Sequence, residues 1–175
     1  MVEDPLAGFQ GALFDLDGVI VRLGVDWDAV RREFATIKGV APGSSVKSAL
    51  ACEERIRARI LEIVGRYEDR ATVSPIPSGL LLLRAAVRRM PVGLVSNNLK
   101  RTVLRALALA DAPSGILVLG VDDVELPKPA PGGLLVAARH LGLDPSRTLY
   151  VGDAETDREA AAAAGMAFLH IDHLK

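Results

Sequence analysis

The chain has 175 residues, enough for one full domain and too short for two ordinary ones. Half of the residues are hydrophobic and only 4% are aromatic, so the available core is one of Leu, Val, Ile and Ala. A net charge of −1 supplies no basic face for a phosphate backbone, which argues against nucleic acid as a main partner.

Met1 to Gln10 carries Glu3 and Asp4 and lacks a basic segment followed by an apolar run, so no signal peptide is expected. Apolar runs such as Gly79 to Leu83 are far shorter than a membrane span, so no membrane association is expected. Cys52 is the lone cysteine and cannot form an intrachain disulfide, which fits a reducing cytoplasm. It reads as a small packing residue.

Short apolar runs alternate with helical patterns along the chain. The first strand is expected at Ala12 to Phe14, ending on Asp15. From Val19 to Pro75 no strand of comparable quality appears, and two amphipathic helices are expected instead, at Asp26 to Lys38 and Ser45 to about Tyr67, separated by Pro42-Gly43-Ser44. A helix at Ser78 to Arg89 precedes a strand at Val92 to Val95, which ends on Ser96. Next come a helix at Leu99 to Leu109, a strand at Ile116 to Leu119, and a helix from Pro131 to Leu141 stopped by Gly142. A strand at Thr148 to Val151, a helix at Glu155 to Ala164 stopped by Gly165, and a strand at Ala167 to Leu169 complete the series. Continuous apolar strands between helices predict an α/β fold whose parallel sheet is covered on both faces. The expected division is a core of residues 1–20 and 76–175 with a helical insertion at 21–75.

Ligands of open parallel sheets bind beyond the carboxyl ends of the strands. Asp15 and Asp17 end the first strand and, two apart in an extended segment, point to one side. An isolated Asp-x-Asp also suits a solvated turn. Asp153, and Asp157 one helical turn later, add acids at a matching strand end, and clustered carboxylates suit a hard cation such as Mg²⁺. Ser96, Asn97 and Asn98 lie where a helix is about to begin. They suit either an anion site or an ordinary N-cap, with Asn97 or Asn98 capping. Lys128, in the loop Leu126-Pro127-Lys128-Pro129-Ala130-Pro131, is either a solvated lysine or a cation aimed at the acids. In the insertion, Arg22, Trp27, Arg31 and Arg32 are candidates for substrate contact, or else helix surface with Trp27 as a packing anchor.

Four segments together resemble the motifs of the haloacid dehalogenase superfamily. They are Phe14-Asp15-Leu16-Asp17-Gly18-Val19-Ile20, Val95-Ser96-Asn97-Asn98, Lys128-Pro129-Ala130-Pro131 and Val151-Gly152-Asp153-Ala154-Glu155-Thr156-Asp157. The similarity runs from about Ala12 to Ile171 and is nearest to phosphoglycolate phosphatase-type and β-phosphoglucomutase-type members. It implies a Rossmann-like sheet with a small α-helical cap after the first strand. It also implies a Mg²⁺-dependent phosphatase acting on a small phosphorylated metabolite through an aspartyl-phosphate.

On the resemblance, Asp15 is the nucleophile, Asp17 the general acid and base, and Lys128 the charge partner. Ser96 and the Asn97 amide receive the phosphoryl oxygens. Mg²⁺ is held by Asp15, the Asp17 backbone and Asp153, with Asp157 supporting from behind. Ala154 stands where the family often has a small hydroxyl residue, so one supporting hydrogen bond is expected to be missing. The cap is short, so the site is expected to be open, which favours hydrolysis over a β-phosphoglucomutase-like phosphoryl transfer. A catalytically inactive regulatory or binding module of the same fold is the further alternative. A cytoplasmic monomer or homodimer is expected.

Overall fold

In the computed structural model, residues 4–37, 39–40 and 54–174 are described. Chain order is β1 (Gly11–Phe14), β2 (Val21–Leu23), α1 (Trp27–Phe34), α2 (Glu54–Arg70), β3 (Val73–Pro75), α3 (Pro77–Val87) and β4 (Val92–Val95). It continues with α4 (Lys100–Leu109), β5 (Leu117–Leu119), α5 (Gly132–Leu141), β6 (Thr148–Gly152), α6 (Glu155–Ala164) and β7 (Ala167–His170). Part of the second expected insertion helix, residues 45–53, lies outside the described residues, as do Pro42-Gly43-Ser44 and Cys52.

Five strands form one parallel sheet in the order β5-β4-β1-β6-β7. The fold is α/β, as the alternation predicts. β1, β4 and β6 are buried along their whole length, because helices cover both faces. Side chains alternate across the sheet. Phe14, Leu94 and Val151 pack with Leu83 and Ala86 of α3 and Val103 and Ala106 of α4. Leu13, Val95 and Tyr150 face the other way, onto Leu134 and Ala137 of α5 and Ala160 and Ala161 of α6. Small alanines let α6 approach closely. Truncating Phe14, which is fully buried, to Ala would cost ~3–5 kcal/mol. α5 and α6 end at Gly142 (φ 67°) and Gly165 (φ 73°), left-handed positions that glycine adopts without strain.

Two expectations fail in the insertion. β2 and β3 form an antiparallel pair, Val21 opposite Pro75 and Leu23 opposite Val73, where no strand was expected. Each is three residues long and finds its partner about 50 residues away, so neither carries a local period to detect. α1 ends at Phe34 rather than Lys38: the Thr36 hydroxyl donates to the Glu33 carbonyl and the Ile37 N–H to Phe34, closing a turn. Asp26 caps α1 by accepting from the Ala29 N–H at 2.8 Å. Val30 and Phe34 of α1 and Ile60, Ile63 and Val64 of α2 form their own cluster, which closes on Leu99 and Val121 of the core. No helix of the described residues is long and apolar enough to cross a membrane.

Candidate active site

β1, β4 and β6 end side by side, with Phe14 level with Leu94 and Val151. The next residues of each chain segment, Asp15, Ser96 and Asp153, therefore meet at one edge of the sheet. Asp15 N–H continues the ladder to the Val151 carbonyl at 2.9 Å, so its backbone is fixed before its side chain does anything.

Lys128 comes to this edge from the loop after β5 and is only 4% exposed. The solvated-loop reading is therefore excluded. Its ammonium donates to Asp157 Oδ1 at 2.6 Å and to Tyr150 Oη at 2.8 Å. Asp15 Oδ1 lies 2.8 Å from the same ammonium as an ion-pair partner. Tyr150 Oη passes its own hydrogen to the Val95 carbonyl at 3.1 Å. Burial pushes the Asp15 carboxyl up to about 6; the Asp157 charge pushes the same way, and Lys128 opposes both. Burial alone would lower Lys128, but the two carboxylates outweigh it and hold the ammonium above its ordinary range.

Asp157 is 1% exposed and shapes the loop between β6 and α6. Its Oδ2 accepts from the N–H groups of Asp153 and Ala154, both at 3.2 Å. The helix N-terminus is thus capped by Asp157, and Ala154 contributes no side-chain bond. Gly152 makes this possible, since a Cβ there would stand 2.4 Å from the Asp157 Cβ. Gly18 does the same for Asp153: φ is 81°, and a Cβ would meet Asp153 Oδ2 at 1.9 Å. Asp153 is exposed at the mouth, and its carboxyl is raised by partial burial, then by the charges of Asp157 and Asp17.

Asp17 Oδ1 accepts the Leu23 N–H at 2.8 Å, which turns the side chain toward β2. Burial raises its carboxyl, the Leu23 hydrogen bond opposes, and the Asp15 charge raises it further. A carboxyl held up in this way suits a proton donor.

The residues after β4 do not cap α4. Leu99 occupies the N-cap without a side-chain bond, and the Lys100 N–H is satisfied from outside by Asp122 Oδ1 at 2.8 Å. The Asn97 side chain clamps the lysine loop instead, Oδ1 accepting from Lys128 N at 2.9 Å and Nδ2 donating to Lys128 O at 3.1 Å. With both side-chain groups committed, any contact of Asn97 with a ligand falls to its backbone N–H. Ser96 Oγ donates to Asn98 Oδ1 at 3.0 Å, and Asn98 Nδ2 donates to Glu68 Oε1 at 2.7 Å.

Asp15, Asp17, Lys128, Asp153, Asp157 and the residues Ser96 to Asn98 line a cavity of about 570 Å³, with Tyr150 and Glu68 behind them. Its outer wall includes Arg22, Trp27 and Arg31, three of the four insertion candidates; Arg32 is not among the lining residues. Arg31 also pairs with Asp28 on the same helix.

One carboxylate oxygen from each of Asp15, Asp153 and Asp157 lies within 4.8 Å of the others. Clustered hard carboxylate oxygens of this kind fit a divalent cation of the Mg²⁺ type. Asp157 enters this group by proximity, yet both of its oxygens are already engaged, so Asp15 and Asp153 are the side chains with oxygens to offer.

Tyr150, Thr156 and Glu68 are not singled out by sequence as site residues, and Asn98 only as an anion contact or a cap. Tyr150 reads as one more apolar strand position, and Glu68 as one of many helical acids. A hydroxyl in a fully buried strand is the one signal for Tyr150, and Thr148 of the same strand carries it too.

A family profile described as haloacid dehalogenase-like hydrolase matches residues 9–165. Phosphoglycolate phosphatase from Escherichia coli O157:H7 is 32% identical over 94% of this chain and 67% of its own length. A HAD family hydrolase from Deinococcus radiodurans R1, whose structure holds phosphate and sodium, superposes with a TM-score of 0.59 at 23% identity, covering 94% of this chain and 81% of that one. A Thermotoga maritima structure described as a β-phosphoglucomutase gives 0.56 at 18% identity, covering 94% of this chain and 96% of that one. The motif order, the sheet and the profile match agree: the chain is an enzyme of the haloacid dehalogenase-like hydrolase family.

Proposed function

We propose that the protein is a Mg²⁺-dependent phosphatase that hydrolyses a small phosphorylated metabolite, phosphoglycolate phosphatase-like, through an aspartyl-phosphate on Asp15. The observation that carries this reading is the buried Asp15 carboxylate 2.8 Å from Lys128 Nζ, with Asp153 and Asp157 beside it. Asp15 attacks phosphorus, and the phosphorus–oxygen bond to the leaving group breaks. Asp17, whose carboxyl is raised, gives its proton to the leaving oxygen and then takes one from the water that releases phosphate. Lys128 keeps Asp15 ionised beside Asp157, and Ser96 Oγ with the Asn97 N–H receives phosphoryl oxygens. A cation on Asp15, the Asp17 backbone and Asp153 would neutralise the charge that gathers on those oxygens. Asp157 orients Asp153 through the loop N–H groups it holds.

Residues 21–75 act as a small cap over this site. Hydrolysis is favoured over phosphoryl transfer by the 32% identity to phosphoglycolate phosphatase, against a likeness in fold alone to the β-phosphoglucomutase structure. The enzyme would work in the cytoplasm as a monomer or homodimer.

The test is turnover of p-nitrophenyl phosphate with and without Mg²⁺. Turnover is expected only with the metal, and Asp15→Asn is expected to lower it by about a thousandfold or more. An Asp15→Asn variant as fast as the parent protein would sink the mechanism.

A further inference from the structure

α2 meets the core at the two loops that carry the site. Near its start, Arg57 donates to the carbonyls of Val121, Val124 and Glu125 at 2.9, 2.7 and 2.9 Å, on the segment leading to Lys128. Near its end, Glu68 is 0% exposed. Its Oε1 accepts from Asn98 Nδ2 at 2.7 Å and its Oε2 from Leu99 N at 3.1 Å. Both partners lie in the loop that follows β4.

A buried carboxylate is costly, and burial raises the Glu68 carboxyl accordingly. An apolar side chain would close the same helix onto the core without that cost, so the structural question is what the carboxylate does. A carboxylate only accepts, so it fixes which end of the Asn98 amide faces it. Nδ2 must point to Glu68, and Oδ1 is thereby turned to Ser96, whose Oγ it receives at 3.0 Å. The Asn98 N–H donates to the same Oγ at 3.2 Å. The Ser96 oxygen is thus held from two sides. Donating to a phosphoryl oxygen takes the single hydroxyl hydrogen away from Asn98 Oδ1, and the Asn98 N–H then keeps the oxygen in place.

We propose that Glu68 is a positioning residue: through Asn98 it holds Ser96 Oγ where a phosphoryl group is received, and so sets the affinity of the site for phosphate. The proposal rests on the reading of Ser96 as a phosphate ligand. Without Glu68 the Asn98 side chain is released to turn, and the Asn98 N–H, which holds the Ser96 oxygen once the hydroxyl donates to phosphate, is no longer fixed.

The experiment uses inorganic phosphate, in the presence of Mg²⁺, as the titrated ligand and as competitive inhibitor of p-nitrophenyl phosphate turnover. Glu68→Ala is expected to weaken phosphate about tenfold and to raise KM in proportion, because the loop that carries Ser96 loses the acceptor of Asn98 Nδ2 and that of Leu99 N. The value of kcat should stay within about threefold, since Asp15 and Lys128 are untouched. Glu68→Gln keeps one acceptor for Asn98 Nδ2 and should lose less. The double variant Glu68→Ala/Asn98→Ala should bind phosphate no more weakly than Asn98→Ala alone. Arg105→Ala removes the bonds from Arg105 Nη2 to the Glu68 and Ala71 carbonyls, which loosens the same helix without touching Asn98, and should change affinity less than about twofold.

If the two single losses multiply in the double variant, or if Arg105→Ala reproduces Glu68→Ala, Glu68 merely docks the helix and the proposal fails. Should Glu68→Ala not fold, the parent protein still decides: the Asn98 side-chain amide protons are expected to exchange slowly with solvent, and rapid exchange overturns the bridge. A parent protein that binds and hydrolyses while Glu68→Ala is unaltered rejects the role of Glu68 alone. A parent protein that neither binds phosphate nor turns over rejects the phosphatase reading and this role with it.

Discussion

The two walls of the cavity are built on opposite plans. The inner wall is a closed set of charges: Lys128 between Asp15 and Asp157, with Tyr150 completing the ammonium's contacts, all buried. Each group there has its state decided by its neighbours. The outer wall is Arg22, Trp27 and Arg31, carried by a three-residue strand and a short helix, with both arginines exposed. Buried, mutually paired charges cannot be altered singly without leaving a partner uncompensated. Exposed arginines can be exchanged at small cost. On the proposed reading, the contrast makes phosphoryl chemistry the rigid part of this molecule and leaving-group recognition the adaptable part.

Lys128→Met attacks the inner wall hardest. It leaves Asp15 and Asp157 facing each other without a cation, at a cost of about 3–5 kcal/mol in stability. Turnover of p-nitrophenyl phosphate should fall ~100-fold or more, because the developing charge loses its counterion. The acid limb of its pH profile should move to higher pH, since burial and Asp157 both raise the Asp15 carboxyl and only Lys128 lowers it by charge. An acid limb that moves down instead would break the assignment of Lys128.

Gly18→Ala comes next. The added methyl needs the space of Asp153 Oδ2, in a backbone conformation that alanine resists. The Mg²⁺ concentration for half-maximal turnover should rise about tenfold or more. Unchanged metal dependence would remove Asp153 from the cation site.

Asp15→Asn separates stability from activity. The Asp15 carboxyl sits at about 6 in the fold against an ordinary 3.8, so the fold favours its neutral form. Ionisation therefore costs nothing below the unfolded pKa, and the cost grows as pH rises toward 6 and stays above it. Without metal, calorimetry should find Asp15→Asn melting several degrees above the parent protein at pH 8. The gap should close toward pH 4. A variant that melts lower at pH 8 would show that the Lys128 pairing outweighs burial.

Tyr150→Phe removes one acceptor from Lys128 and one donor to Val95, and should lower stability by about 1 kcal/mol, with turnover reduced less than about tenfold. Arg22→Ala and Arg31→Ala should alter p-nitrophenyl phosphate KM by less than about twofold while shifting the ranking of phosphorylated metabolites. A large, uniform loss of kcat from either would place it with the inner wall and erase the contrast.

Much of this was legible in the chain. The five sheet strands are continuous apolar runs, and the helices between them stop at Gly142 and Gly165, so local pattern was enough to place them. Asp15, Ser96, Asp153 and Lys128 stood at strand ends or in a rigid loop, where parallel sheets gather ligands. What local pattern missed has one cause. The β2–β3 pair, the clamp of Asn97 on Lys128 and the bridge from Glu68 to Asn98 each join residues 30 or more positions apart. Asn97 and Asn98 look like caps because their neighbours in sequence are a helix start; their partners in space are a loop and another helix.

The sequence by itself determined the sheet, its covering helices and the identity of the groups at its edge, because hydrophobic period and strand-end polarity are local properties. Tertiary structure alone decided what those groups are to one another. It turned Lys128 from a loop lysine into a buried counterion, Asp157 into the cap of the Asp153 loop, and Glu68 into the holder of Asn98. The reason is that charge states and hydrogen-bond directions depend on burial and on partners a few ångströms away.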